Sequence, residues 1–124
     1  MSAPTNEELR RLLDLAAKAV GKDIDQDRYD EDWGFAIRHS SKWWAPHIDD
    51  GDSRRLAVAL GIAVTPYPIF SMPKHSVIAK LHRNTDQIGV PNPTEVVEAY
   101  GDDPCAATRL AVLRVAAAIG KEMP

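Results

Sequence analysis

The chain has 124 residues, enough for one hydrophobic core and too few for two, so residues 1–124 are expected to form a single globular domain. Fifteen Lys and Arg stand against eighteen Asp and Glu, a formal net charge of −3. That gives no global drive toward nucleic acid or anionic membrane, and it is too mild for an all-over mimic of DNA charge. Cys105 is the only cysteine, which excludes an intrachain disulfide and a cysteine-built zinc site and fits a reducing compartment, the cytoplasm.

The first stretch, "MSAPTNEELRRLLDLAAKAVG", lacks the basic, apolar and small-residue zones of a secretory signal and reads as folded protein. Thr5 followed by Glu8 matches a capping box. Leu9, Leu12, Leu13, Ala16, Ala19 and Val20 then share one helical stripe until Gly21. Residues 22–33, "KDIDQDRYDEDW", hold six acids around Ile24 without a period that buries a face, and are expected to be a loop or a solvated edge. "GFAIRHSSKWW" alternates Phe35 and Ile37 with Ala36 and Arg38, and "HSS" supplies a turn, which predicts a β-hairpin.

After "HIDDGDS" a short helix is expected, with Leu56, Ala59 and Leu60 on one face and Gly61 at its end. The prolines of "IAVTPYPIFSMP", residues 62–73, suit an extended edge segment. "HSVIAKLH" alternates as a strand, "RNTD" supplies a turn, and "EVVEAY" is read as a last strand before "GDDP". Asp103 can then cap a helix with Pro104 in its first turn, and Leu110, Leu113, Ala117 and Ile119 carry an apolar face to Gly120. No apolar run reaches the ~20 residues needed to span a bilayer; the best, residues 110–119, contains Arg114. The expected architecture is α+β: an antiparallel sheet of about four strands, an N-terminal helix, a short middle helix and a C-terminal helix, the first and last packed on one face.

The chemistry-bearing residues gather around "WWAPHIDDGDSRRLAV". An EF-hand is excluded, because placing Gly51 at its glycine position puts Pro46 and Ile48 in ligand slots and Ala57 where the bidentate Glu belongs. His47, Asp49, Asp50 and Asp52 could form an irregular oxygen-rich site for magnesium or manganese, and hence a small metal-dependent enzyme. Against this, Asp50 or Asp52 can cap the helix that begins there. No metal or cofactor is therefore expected. Trp43 and Trp44 cannot both face inward on a strand. The outward one, taken as Trp44, would lie beside Arg54 and Arg55, with Arg109 and Arg114 approaching from the last helix and helix N-termini adding N–H donors for an anion. Cys105 is expected to pack as a small residue. The four histidines, His39, His47, His75 and His82, show no metal-binding spacing, and no phosphate loop or catalytic triad is present.

Two stretches, "WAPHIDDGDSRRLAVALGI" and "GDDPCAATRLAVLRVAAAIGKEMP", together about a third of the chain, resemble a family of small phage and prophage accessory proteins, loosely similar to the NinX group of lambdoid phages. The resemblance carries over no catalytic residue. It implies a setting, the cytoplasm of an infected bacterium, and a non-enzymatic counter-defence role. Such a protein would bind and sequester a host nucleotide signal, such as a cyclic nucleotide, or a defence protein, as a homo-oligomer with no membrane association. The ligand-binding residues would be Trp44, Arg54, Arg55 and Arg109. A regulatory or structural phage protein with a self-association surface is the third reading.

Overall fold

In a computed structural model the chain is described over residues 4–67, 76–81, 95–99 and 103–123. The order is α1 (Asn6–Val20), β1 (Ile24–Asp30), β2 (Gly34–Ile37), β3 (Trp43–Trp44), α2 (Asp50–Leu60), β4 (Ile62–Tyr67), β5 (Ser76–Leu81), β6 (Glu95–Ala99) and α3 (Pro104–Glu122). The fold is α+β with three helices, and its strands form two antiparallel sheets of three, ordered β1-β2-β3 and β4-β5-β6, in place of one sheet of about four. The turn expected at "RNTD", the prolines Pro68 and Pro73, and His75 and His82 lie outside the described residues.

Each helix starts where an oxygen meets free backbone N–H groups. The Thr5 hydroxyl accepts from the Glu8 N–H at 3.2 Å, and Asp103 accepts from the Cys105 and Ala106 N–H groups at 3.0 and 3.2 Å, with Pro104 in the first turn. At α2 the cap is Asp49, in place of the expected Asp50 or Asp52: its Oδ1 accepts from the Gly51 and Asp52 N–H groups at 2.8 and 3.2 Å. Gly21 and Gly61, both in the left-handed region, end α1 and α2. α3 runs past Gly120 to Glu122 because that glycine is used for packing. A Cβ there would collide with the Leu15 carbonyl oxygen, so the bare backbone lets α1 and α3 approach closely.

α3 is the hub. It contacts α1, α2 and all three strands of the second sheet, and is buried on several sides through Ala107, Ala111, Val112, Leu113, Val115, Ala116 and Ala117. Its alanines make it thin enough to be surrounded. α1, with Leu13, Ala16 and Ala17 buried, packs mainly on α3 and also contacts β1 and β2 of the first sheet. In the second sheet Val77 and Ala79 face inward, and Glu98, opposite Val77, ion-pairs with Arg114 of α3 at 2.7 Å, off the line of a hydrogen bond. β4 lies at the sheet's edge, where Pro66 can be accommodated.

The first sheet positions the candidate site. The expected hairpin is present: Phe35 pairs with Trp44, Ala36 with Trp43, and the Ile37 N–H reaches the Lys42 carbonyl at 3.0 Å around a turn in which His39 has φ 61°. Residues 24–30, expected as a loop or a solvated edge, are β1, an edge strand paired with β2 through Tyr29 and Phe35 with an irregularity between Ile24 and Tyr29. Ile24 is the one fully buried residue of that strand and Tyr29 is half-buried, so the strand hides almost no periodic apolar face. Arg10 of α1 clasps it, donating to the Gln26 carbonyl at 2.8 Å with its guanidinium 5.3 Å from the Tyr29 ring centre and 5.8 Å from that of Phe35.

Candidate functional site

Between the first sheet and the start of α2 lies an open cleft of about 840 Å³, bordered by Trp33, Trp43, Ile48, Lys22, Lys42 and Arg55 among others. Strand alternation gives its two faces. Trp44 shares the inner face with Phe35 and is only 4% exposed, so it is a core residue and not an open stacking surface. Trp43, its neighbour, takes the outward place. Its ring lies 6.4 Å from that of Trp33 at 52°, and the Arg28 guanidinium sits 5.7 Å from its centre. Trp33, at the β1–β2 turn, is 61% exposed, and Ile48 47%. Trp33 carries a visible signal, a tryptophan ending an acidic run, but reading residues 22–33 as a loop or a solvated edge does not show its place beside Trp43.

The acidic residues of "HIDDGD" are occupied by the fold. Asp52 is 14% exposed; its Oδ2 accepts from the Ala45 N–H at 2.9 Å and its Oδ1 from Arg55 at 2.7 Å. That hydrogen bond raises the Arg55 pKa above its ordinary value. Asp50 holds Arg109, whose Nη1 is 2.6 Å from Asp50 Oδ1 and whose Nε donates to the His47 carbonyl at 3.0 Å. The His47 Nε2 lies 2.7 Å from the Glu31 carbonyl, which can only accept, so that nitrogen carries the proton. Its Nδ1 is buried and unpartnered. Burial, first, and the nearby Arg109 lower the His47 pKa below 6.5, while the Glu31 hydrogen bond and Asp32 oppose the shift. His47, Asp49, Asp50 and Asp52 therefore do not converge, and among the described residues no three His, Cys, Asp or Glu are arranged to hold a metal ion.

The expected ligand-binding set divides in the same way. Trp44 and Arg55 border the aromatic cleft, whereas Arg54 and Arg109 border a second, smaller cleft of about 320 Å³ on the other side of α2, with Ala57, Val64 and Val112. Arg54 and Arg55 part because successive helix residues are about 100° apart. Arg114 is turned to Glu98 and borders neither. Cys105, expected to pack, is exposed at the mouth of the second cleft.

The aromatic cleft is polar along its length. The strand register puts Lys22 and Lys42 near Ile37, at one end of β2, and Asp30, Glu31 and Asp32 at the other, around Gly34 and Trp33. The cleft itself is bordered by Lys22, Lys42 and Arg55 and by Asp49, Asp50 and Asp52, while Asp30, Glu31 and Asp32 adjoin Trp33 in the β1–β2 turn; it offers flat aromatic surface without a nucleophile paired to a base. Compared with known family models, curated proteins and solved structures, the chain matches none. Among the described residues no helix is long and apolar enough to cross a membrane.

Proposed function

We propose that the chain is a non-enzymatic phage or prophage accessory protein, acting in the cytoplasm of an infected bacterium, that blunts host defence by binding a defence protein through the Trp33–Trp43 cleft. The observation that carries the binding part is the exposure of Trp33, 61%, beside Trp43 and Ile48. Adjoining exposed apolar side chains mark interaction surfaces, and tryptophan is among the commonest interface anchors. The setting rests on the resemblance of residues 44–62 and 101–124. Against the metal-dependent enzyme stands the employment of His47, Asp49, Asp50 and Asp52 as cap, clamp and turn ligands.

Sequestration of a nucleotide signal is the second reading, favoured by Lys22 and Lys42, which make no ion pair among the described residues and border the cleft that Trp43 lines. A base stacked on Trp43 would gain ~1–3 kcal/mol. The test is affinity capture from infected-host lysate with wild type, Trp33→Ala and Val58→Ala, Val58 being exposed on α2. A partner retained by wild type and Val58→Ala and lost by Trp33→Ala supports the protein-binding reading. In parallel, protein exposed to cyclic di- and trinucleotides is washed and heated. Unaltered nucleotide released only on denaturation would favour the second reading, and altered nucleotide an enzyme. A dimer in sedimentation that Trp33→Ala dissociates would make the face a self-association surface.

A further inference from the structure

We infer that the occupant of the aromatic cleft is a protein face bearing arginine, stacked on Trp33 and held by the carboxylates of the β1–β2 turn. This rests on the reading of the cleft as a protein-binding surface and names the chemistry of the partner.

The apolar anchor comes first, since Trp33 and Ile48 are exposed on one cleft. Charge then selects what covers them. Residues 22–33 hold two basic side chains against six acidic ones, a net of −4 in a chain whose total is −3, so the rest of the protein is positive by one; of the six, Asp30, Glu31 and Asp32 stand beside Trp33 at the β1–β2 turn. Within that segment Asp23 is neutralised by Arg38 at 3.0 Å. Asp25, Asp27, Asp30, Glu31 and Asp32 have no salt bridge among the described residues; Asp25 and Asp30 each accept a backbone N–H two positions on, which leaves their charge uncompensated. Lys22 and Lys42 sit at the far end of β2 and do not balance the turn.

A guanidinium fits this site better than an ammonium. It is planar, stacks on an aromatic face and can bridge two carboxylate oxygens, whereas an ammonium is a compact, strongly hydrated point charge. The protein already contains the geometry once, in Arg28 over Trp43. The exposed Trp33 ring next to uncompensated acids offers it a second time, to a partner. Proteins use arginine-bearing faces to grip nucleic-acid phosphates. Binding here would cover such a face, which gives an inhibitor a way to act without catalysis.

The test is fluorescence anisotropy of a labelled peptide alternating arginine and leucine, compared with its lysine and glutamate counterparts, against folded wild type, Trp33→Ala, Asp30→Asn/Asp32→Asn and Val58→Ala. The arginine peptide is expected to bind about threefold or more tighter than the lysine peptide, the size of one exposed cation–π contact. Loss of the Trp33 anchor or of the two turn charges should weaken it by about tenfold, with Val58→Ala unchanged. Equal affinity for the arginine and lysine peptides, indifference to Trp33→Ala, or preference for the glutamate peptide would overturn the inference. A lysate partner lost with Trp33→Ala while the arginine peptide shows no preference would refute the partner chemistry and leave the proposed function standing. Peptide binding as expected with no partner captured would do the reverse.

Discussion

Replacing Asp52 by alanine separates a structural carboxylate from a metal ligand. Its Oδ2 is the acceptor for the Ala45 N–H at 2.9 Å, Ala45 is buried, and the carboxylate is itself only 14% exposed. Truncation leaves that N–H without its partner, a penalty of ~1–3 kcal/mol, and removes a negative charge from the first turn of α2, ~0.3–1 kcal/mol. The expected loss is about 2–3 kcal/mol. Asp49→Ala should lose ~0.5–2 kcal/mol as the cap, and Asp50→Ala, whose carboxylate is 74% exposed, about 1 kcal/mol or less. Urea denaturation followed by far-ultraviolet circular dichroism, with unchanged m-values, should give the order Asp52, Asp49, Asp50, and magnesium or manganese should alter none of the midpoints. A neutral Asp52→Ala would refute the argument. So would stabilisation of wild type by manganese that disappears in Asp49→Ala, and that result would restore the metal-dependent enzyme.

Trp44→Ala should lose ~3–5 kcal/mol and Trp33→Ala less than about 0.5 kcal/mol in the same assay, because one ring is core and the other surface. Gly120→Ala should lower the thermal midpoint by several degrees, an overpacking cost of ~1–3 kcal/mol or more, since its methyl group meets the Leu15 carbonyl; an unchanged midpoint would mean that α1 and α3 are farther apart. His47 has a folded pKa below its unfolded value near 6.5, so the unfolded chain binds the proton first. Stability should be fully present above pH 6.5 and fall as the pH drops from there toward the folded pKa, a decline that His47→Gln should flatten in stability measured across that range.

The parts of this fold legible in the sequence are those fixed by neighbours along the chain. Thr5, Asp103 and Pro104 act within one helical turn, and the hairpin around "HSS" joins strands only a few residues apart, so each was readable. β1 is legible only as a loop or a solvated edge, because an edge strand clasped by Arg10 has little apolar face to bury and so carries no alternation. Alternation showed that Trp43 and Trp44 face opposite ways. Which one faces inward depends on pairing with Phe35, a register set across the turn. The same limit applies to the arginines: a helix start is visible in "DDGDSRR", but the split of Arg54 and Arg55 between two clefts depends on what packs on either side of α2. Strand count likewise says nothing of partition into sheets, which here comes from α2 intervening between β3 and β4.

β3 is two residues long, and residues 45–49 close the sheet margin beyond it. The Ala45 N–H is taken by Asp52, Pro46 has no N–H to give, and the Ile48 and Asp49 N–H groups turn back to the Ala45 carbonyl at 3.1 and 2.8 Å. A strand margin with free donors invites another chain to add itself, whether a misfolded copy or an unrelated peptide. Here Trp43 stands at such a margin while the backbone just beyond it offers little to copy, so whatever meets it must do so through side chains. Asp52→Ala joined to Pro46→Ala would remove that protection, and the double variant should accumulate as oligomers in light scattering at temperatures where Trp33→Ala stays monodisperse.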